Sequence, residues 1–181
     1  MHERRFDREL ERLRDPERIS RLEVRRVIDL ALDNMKKPNS ILDVGTGTGL
    51  FAEEFAARGL DVTGLDANPK MLPAARKYVP AGTFQEGIAE KLPFPDKSFD
   101  LVFMGLLLHE TDDALAAFRE ARRVTRQRLA VLEWPDEEQL FGPPREHRLS
   151  FDKINSLARQ VGYKIVISAR LENLVLYIME K

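Results

Sequence analysis

Three glycines at alternate positions, Gly45, Gly47 and Gly49, follow directly on the apolar run 41–44. Glycine lets a backbone take angles and approach a ligand as closely as a β-carbon would forbid, so residues 45–49 read as a seat for a ligand. The amides of such a turn, with the N-terminus of the helix it opens, make a partly positive and sterically open site. Asp66 closes the next apolar run about 20 residues further on, the spacing at which a carboxylate meets ribose hydroxyls. Turn and acid together point to an adenosine-containing ligand.

Two residues narrow the choice. A dinucleotide-binding turn carries a further glycine where this chain has Leu50, because the helix must pack closely enough to admit a pyrophosphate. Asp43, on the last turn of the strand, would repel a pyrophosphate and attract an ammonium group. The pattern therefore favours a zwitterionic ligand and disfavours a nicotinamide-dependent oxidoreductase. His109-Glu110 follows a later apolar run, and a histidine titrating near neutrality can take a proton from a nucleophile. The alternative for His109 is to fix the loop ahead of the helix that begins near Asp112. Glu90 has two readings, a ligand contact or a solvated loop charge. His2, His109 and His147 are scattered and the chain has no cysteine, so no metal site is expected.

The elements that place these groups alternate in type. Residues 3–37 carry Phe6, Leu10, Leu13, Ile19, Leu22, Val27, Ile28, Leu30 and Leu32 at helical spacing, which predicts two amphipathic helices broken at Asp15-Pro16. They read as a helical cap on the domain, or as a cap whose first helix also covers the ligand cleft. Strands are predicted at 41–44, 62–65, 83–87, 99–108, 128–134, 163–170 and 174–180. Helices are predicted at 49–58, from Asn68-Pro69 with Met71, Leu72, Ala75 and Tyr78 inward, at 112–124, and at 151–161 behind a Ser150 cap. Alternation of this kind implies a Rossmann-like, doubly wound α/β sheet with helices on both faces, an antiparallel last strand and the ligand at the carboxyl ends of the strands. Residues 135–150, with three prolines, form a long excursion that follows the strand at 128–134. It reads either as a lid, in which Trp134 and Phe141 exclude water and Arg145, His147 or Arg148 meets an acidic group, or as a solvated connection.

The chain of 181 residues is 43% hydrophobic, enough for one substantial core, and a single domain over 1–181 is expected. Lysine and arginine number 29 against 30 acids, a net charge of -1, so no positive field draws nucleic acid or an anionic membrane. No apolar run is long enough to span a bilayer and the N-terminus lacks an apolar signal core, which predicts a cytoplasmic protein whose partner is a small molecule. Oligomeric state is not legible.

The blocks 42–49 (Leu-Asp-Val-Gly-Thr-Gly-Thr-Gly), 66–72 (Asp-Ala-Asn-Pro-Lys-Met-Leu) and 87–100 (Gly-Ile-Ala-Glu-Lys-Leu-Pro-Phe-Pro-Asp-Lys-Ser-Phe-Asp) resemble the class I S-adenosylmethionine-dependent methyltransferases. The subgroup is similar to the ubiquinone- and menaquinone-biosynthesis enzymes, and the likeness covers roughly residues 38–134. It implies a sheet of about seven strands with the final one antiparallel, S-adenosylmethionine as methyl donor and S-adenosylhomocysteine as product. It implies that Gly45 and Gly47 meet the methionine part, with Asp43, Thr46 and Gly49 completing the seat. Asp66 would hold the ribose hydroxyls, Ala67 and Met71 would flank adenine, and Ala89 would offer its amide to the ring. Gly105 and Leu106 would line the methyl-bearing side. The family often has an acid where this chain has Ile88, so the adenine amine is expected on a backbone carbonyl or on Glu90. The other class left open is a non-catalytic S-adenosylmethionine-binding regulatory or partner protein.

Overall fold

The computed structural model describes residues 10–180. Within them β1 (Ser40–Val44), β2 (Asp61–Asp66), β3 (Thr83–Glu86), β4 (Phe99–Gly105), β5 (Thr125–Glu133), β6 (Lys164–Arg170) and β7 (Val175–Glu180) form one sheet in the order β3-β2-β1-β4-β5-β7-β6. The first five strands are parallel, and β7 lies antiparallel to both β5 and β6. The helices are α1 (Leu10–Leu13), α2 (Pro16–Arg21), α3 (Val24–Leu32), α4 (Leu50–Ala57), α5 (Leu72–Tyr78), α6 (Ala114–Val124) and α7 (Phe151–Gln160).

Alternate strand residues feed two separate cores, as the two-residue period of a pleated sheet requires. Ile41, Leu101, Phe103, Ala130 and Leu132 pack with α3, α4 and α5 on one face. Leu42, Val44, Val102, Met104, Leu129 and Val131 pack with α6 and α7 on the other. Strands covered on both faces must be apolar throughout, which is why Phe99-to-Met104 is buried almost without interruption. The strand order turns back between β1 and β4, so the crevice at their carboxyl ends is where an open α/β sheet accepts a ligand.

Several boundaries differ from the sequence-based expectation, each for a local reason. The N-terminal stretch holds three short helices among the described residues rather than two, because Glu23 takes a left-handed φ of 46° and breaks the second; Phe6 and His2 lie outside the described residues. Asn68-Pro69 makes a turn, with the Asn68 side chain accepting from the Lys70 amide at 3.1 Å, and the helix begins only at Leu72. Tyr78 is 41% exposed rather than inward. β4 stops at Gly105, since Leu106 turns to φ 57° and residues Leu108–Glu110 form a 3-10 turn. Asp113, not Asp112, caps α6, accepting from the Ala116 amide at 3.0 Å. β5 starts at Thr125, directly after α6 and ahead of the expected start.

The amino ends of the central strands are closed by Asp100. Its carboxylate accepts from the Asn39 and Ser40 amides at 3.0 and 3.1 Å, from the Ser40 hydroxyl at 3.2 Å and from Arg126 at 2.9 Å, tying β1, β4 and β5 together. Burial alone would raise its pKa, but these donors hold it down at about 2. A depressed carboxylate stabilises the fold above its unfolded value near 3.9, and that contribution is lost as pH falls through about 2. Asp100→Asn should therefore cost about 1–2 kcal/mol at pH 7, partly screened by solvent, and its deficit against wild type should shrink below about pH 4. Thermal denaturation across that range checks this, and a deficit independent of pH would contradict it.

Candidate methyl-donor site

The site is built where β1 and β2 end side by side, Val44 opposite Leu65. The Leu65 carbonyl accepts from the amides of both Gly45 and Thr46, at 2.8 and 3.0 Å, so the chain leaving β1 bends over the end of β2. Gly45 has φ 74°, and a β-carbon there would stand 2.8 Å from Leu107, which leaves no room for another residue. Gly49, at φ 78°, starts α4 while its missing side chain lets the Ala75 backbone of α5 come within 3.1 Å of where a β-carbon would be. Both glycines answer to steric demand, as the alternate spacing indicated.

Beneath this turn lie two carboxylates. Asp66 accepts from the Gly47 amide at 2.7 Å through one oxygen and from the Asn68 amide at 2.8 Å through the other. Each carboxylate oxygen has a second lone pair, so both can still accept from a hydroxyl of a ligand. Burial raises the Asp66 pKa against the pull of those two amides. Asp43 is buried, with 1% of its surface exposed, and accepts from the Thr46 hydroxyl at 2.8 Å. Burial pushes its pKa up to about 7; the Thr46 bond and the Ala52 amide oppose this, while the charge on Asp66 adds to it. A buried acid whose ionisation is opposed by lost water and by a neighbouring carboxylate gains from a cation and loses from an anion, so this pair suits a cationic group better than a pyrophosphate.

Around this pair, Met71 and Ala89 are buried and Ala67 is half-buried, while Ile88 is 40% exposed on a short bridge to Lys91. Glu90 is engaged elsewhere: one of its oxygens accepts from the amides of Asp112 and Asp113 at 2.8 and 3.4 Å, at the start of α6. Gly105 leaves room for Phe103 and Phe51, and Leu106 holds its left-handed angle with its amide on the Leu132 carbonyl at 2.8 Å. A branched side chain held at positive φ is strained and concentrates at functional sites.

His109 lies at the same edge. Its Nδ1 bonds the Glu133 carboxylate at 2.8 Å, and its Nε2 is 3.7 Å from Glu110. Glu133, 1% exposed at the end of β5, also accepts from the Leu108 amide at 2.7 Å, so it fixes both the 3-10 turn and the ring. A carboxylate partner sets Nδ1 as the protonated nitrogen. Burial by itself would lower the His109 pKa, but the charge and bond of Glu133, with Glu110, raise it above the ordinary value. Sequence reasoning missed Glu133, since unlike Asp66 it stands at no motif spacing from the glycine turn and meets His109 only through the pairing of β4 with β5. Leu107, within an apolar run, likewise shows its place beside Gly45 only in the folded chain.

The excursion 135–150 is neither structureless nor a display of cations. Arg148 donates to the carbonyls of Pro143, Pro135, Glu137 and Phe141 and to the Gln139 side chain, at 2.7 to 3.1 Å, and gathers the loop around itself. Arg145 pairs with Asp136 at 2.9 Å. These two arginines are therefore engaged within the loop, which weighs against the reading in which one of them meets an acidic group. Trp134 is half-buried beneath Gly142, and Phe141 carries the Arg21 guanidinium 3.8 Å above its ring. α1 lies across the glycine turn. Leu13 stands 3.8 Å from where a β-carbon on Gly47 would be, and Arg14 bonds Thr48 within the turn.

Residues 42–129 match the family model described as a methyltransferase domain. A demethylmenaquinone methyltransferase of Thermotoga maritima is 38% identical over 113 residues, which are 60% of this chain and 48% of that protein. A malonyl-[acyl-carrier protein] O-methyltransferase of Erwinia pyrifoliae is 42% identical over 122 residues, 67% of this chain and 43% of that one. The chain thus spans about half the length of the curated relatives it matches. A crystal structure of a SAM-dependent methyltransferase from Aquifex aeolicus superposes with a TM-score of 0.82 at 22% identity, covering 94% of this chain and 96% of that one, which establishes the shared fold.

Asp43, whose folded pKa lies above its unfolded value near 3.9, contributes stability that is complete below that value and lost as pH rises through about 7. Asp43→Asn cannot ionise and keeps an acceptor for Thr46. Without ligand it should match wild type near pH 4 and exceed it by about 2 kcal/mol at pH 8. Denaturant unfolding at the two pH values checks this, and an equal difference at both would contradict it.

Proposed function

We propose that this chain, which carries a class I S-adenosylmethionine-dependent methyltransferase domain over residues 42–129, transfers a methyl group from that cofactor to a small-molecule acceptor. The observation that carries the proposal is a pair of acids, the buried Asp43 and the half-buried Asp66, under a glycine turn that opens a helix. When bound, the cofactor supplies an electrophilic methyl on a sulfonium, and the protein supplies alignment and exclusion of water. Asp43 would balance the ammonium of the methionine part within the turn formed by Gly45, Thr46, Gly47 and Gly49. Asp66 would accept the ribose hydroxyls on its second lone pairs, with Ala67 and Met71 flanking adenine and the Ala89 amide on its ring. Gly105 and Leu106 would line the side from which the methyl leaves. Glu90 supports this arrangement from outside, through the start of α6.

The acceptor would enter from the edge carrying the excursion. An open depression of about 460 Å³ there is lined by polar as well as apolar groups, among them Asp136, Glu137, Phe151, Asp152, Arg170 and Tyr177, and Val175, also on it, pairs with Glu133 across β5 and β7. That volume suits a small molecule, and a net charge of -1 gives no pull on nucleic acid. The relatives' names give demethylmenaquinone and the malonyl group carried on acyl-carrier protein as their acceptors, a quinone and a carboxylate. Among the described residues no helix is long and apolar enough to cross a membrane, in keeping with a cytoplasmic reaction. In this reading His109, oriented by Glu133, takes the acceptor proton at Nε2.

The test is methyl consumption from S-adenosylmethionine across a panel of hydroxyl, amine and carbon acceptors. With a responsive acceptor, His109→Ala should lower kcat by about a hundredfold or more while leaving cofactor affinity within about twofold. Because the neutral ring is the acting form and its pKa is raised, the rising limb of kcat against pH should lie above the ordinary histidine value near 6.5. Turnover retained by His109→Ala would contradict the base role.

A further inference from the structure

We propose that Arg14 is a positioning residue for the methyl donor: it pins α1 as a roof over the glycine turn and so controls the donor's residence. The inference rests on the methyl-donor reading of that turn and adds a residue outside the matched segment 42–129. One guanidinium serves three elements. Nε donates to the Thr48 hydroxyl at 3.2 Å and Nη2 to the Thr48 carbonyl at 2.7 Å, both within the turn. Nη1 pairs with Glu53 on α4, and the planar group stacks 3.5 Å above the ring of Tyr78 on α5. A planar fork with a stacked face matches what arginine, and not lysine, provides.

The placement of α1 depends on this side chain. The helix has only four residues and buries one of them, Leu13, so apolar burial can fix it only weakly. Leu13 is also the residue facing Gly47, the glycine whose amide bonds Asp66. A ligand lying along the turn therefore passes under Leu13 when it enters or leaves. A roof held by a polar clasp can open without uncovering a core, since its bonds are exchanged for water at small net cost. This also accounts for Tyr78, which is 41% exposed on the inner side expected of α5 and serves as the platform for the guanidinium. The other end of the same segment has a separate attachment, Arg21 over Phe141, which touches the excursion and not the turn.

Calorimetric titration of S-adenosylmethionine into the full chain, with dissociation followed by stopped flow, tests the proposal. Arg14→Ala should weaken binding about tenfold, chiefly through faster dissociation, with kcat at saturation little changed. Arg14→Lys should recover only part of the loss, and Arg21→Ala should bind as wild type does. Binding by Arg14→Ala equal to wild type, or an equal loss in Arg21→Ala, overturns the proposal. A wild-type chain that binds no S-adenosylmethionine overturns the methyl-donor reading itself, and the two failures are thus distinct. Should Arg14→Ala not fold, amide hydrogen exchange on the wild-type chain decides. Added S-adenosylmethionine should slow exchange across residues 10–21, and unchanged exchange there overturns the roof.

Discussion

The hydrogen bond from the Gly47 amide to the Asp66 carboxylate, 2.7 Å long, is the contact on which the site depends. It joins the turn after β1 to the end of β2, and it fixes a half-buried acid directly below a backbone that has no side chain to shield it. The sheet register makes it possible, because Val44 and Leu65 are paired and the next residues of the two strands leave from the same level. Asp43, one strand turn away and almost fully buried, then feels the charge of Asp66 as well as the loss of water. Loss of water first, and the charge of Asp66 to a lesser degree, disfavour an ionised Asp43, a state that a nearby cation would relieve.

The surroundings keep this state intact. Leu107 fills the space beside Gly45, Leu13 lies over Gly47 and Ala75 packs against Gly49, so each glycine of the motif has a different neighbour pressed against it. At the end of β5 Glu133 does for the 3-10 turn what Asp66 does for the glycine turn, a carboxylate at a strand end holding a backbone amide, and it also holds the His109 ring. Arg148 organises the excursion by a complementary device, a cation that collects the carbonyls of a loop lacking regular structure. The three sub-assemblies meet at the carboxyl ends of β1, β4 and β5, where the strand order turns back.

Much of this was legible in the amino-acid order. The alternate glycines, Asp66 at its spacing and the position of Asp43 marked the seat, and the alternation of apolar runs with helical patterns gave the layered sheet and its antiparallel last strand. What escaped reading depended on contacts between residues far apart in the chain. Glu133 and His109 are brought together only by the pairing of β4 with β5. Arg14 looked like one cation among many on a solvated helix, because nothing in its neighbourhood reveals Thr48, Glu53 or Tyr78. Tyr78 was placed inward by periodicity, and a stacked guanidinium rather than a core explains its position. Arg145 and Arg148 were open to a ligand role until the loop's own carbonyls and Asp136 were seen to occupy them.

The proposed function requires that the buried Asp43, beside the half-buried Asp66, be relieved by a cationic adenosyl ligand. The most direct test is a carbon-13 NMR titration of the Asp43 carboxyl group, first in the unliganded protein and then with S-adenosylmethionine or NAD present. The account predicts a midpoint near 7 without ligand, a fall of more than about one unit with S-adenosylmethionine, and no fall with NAD. An ordinary carboxylate midpoint in the unliganded protein, or one that S-adenosylmethionine leaves unmoved, would contradict it.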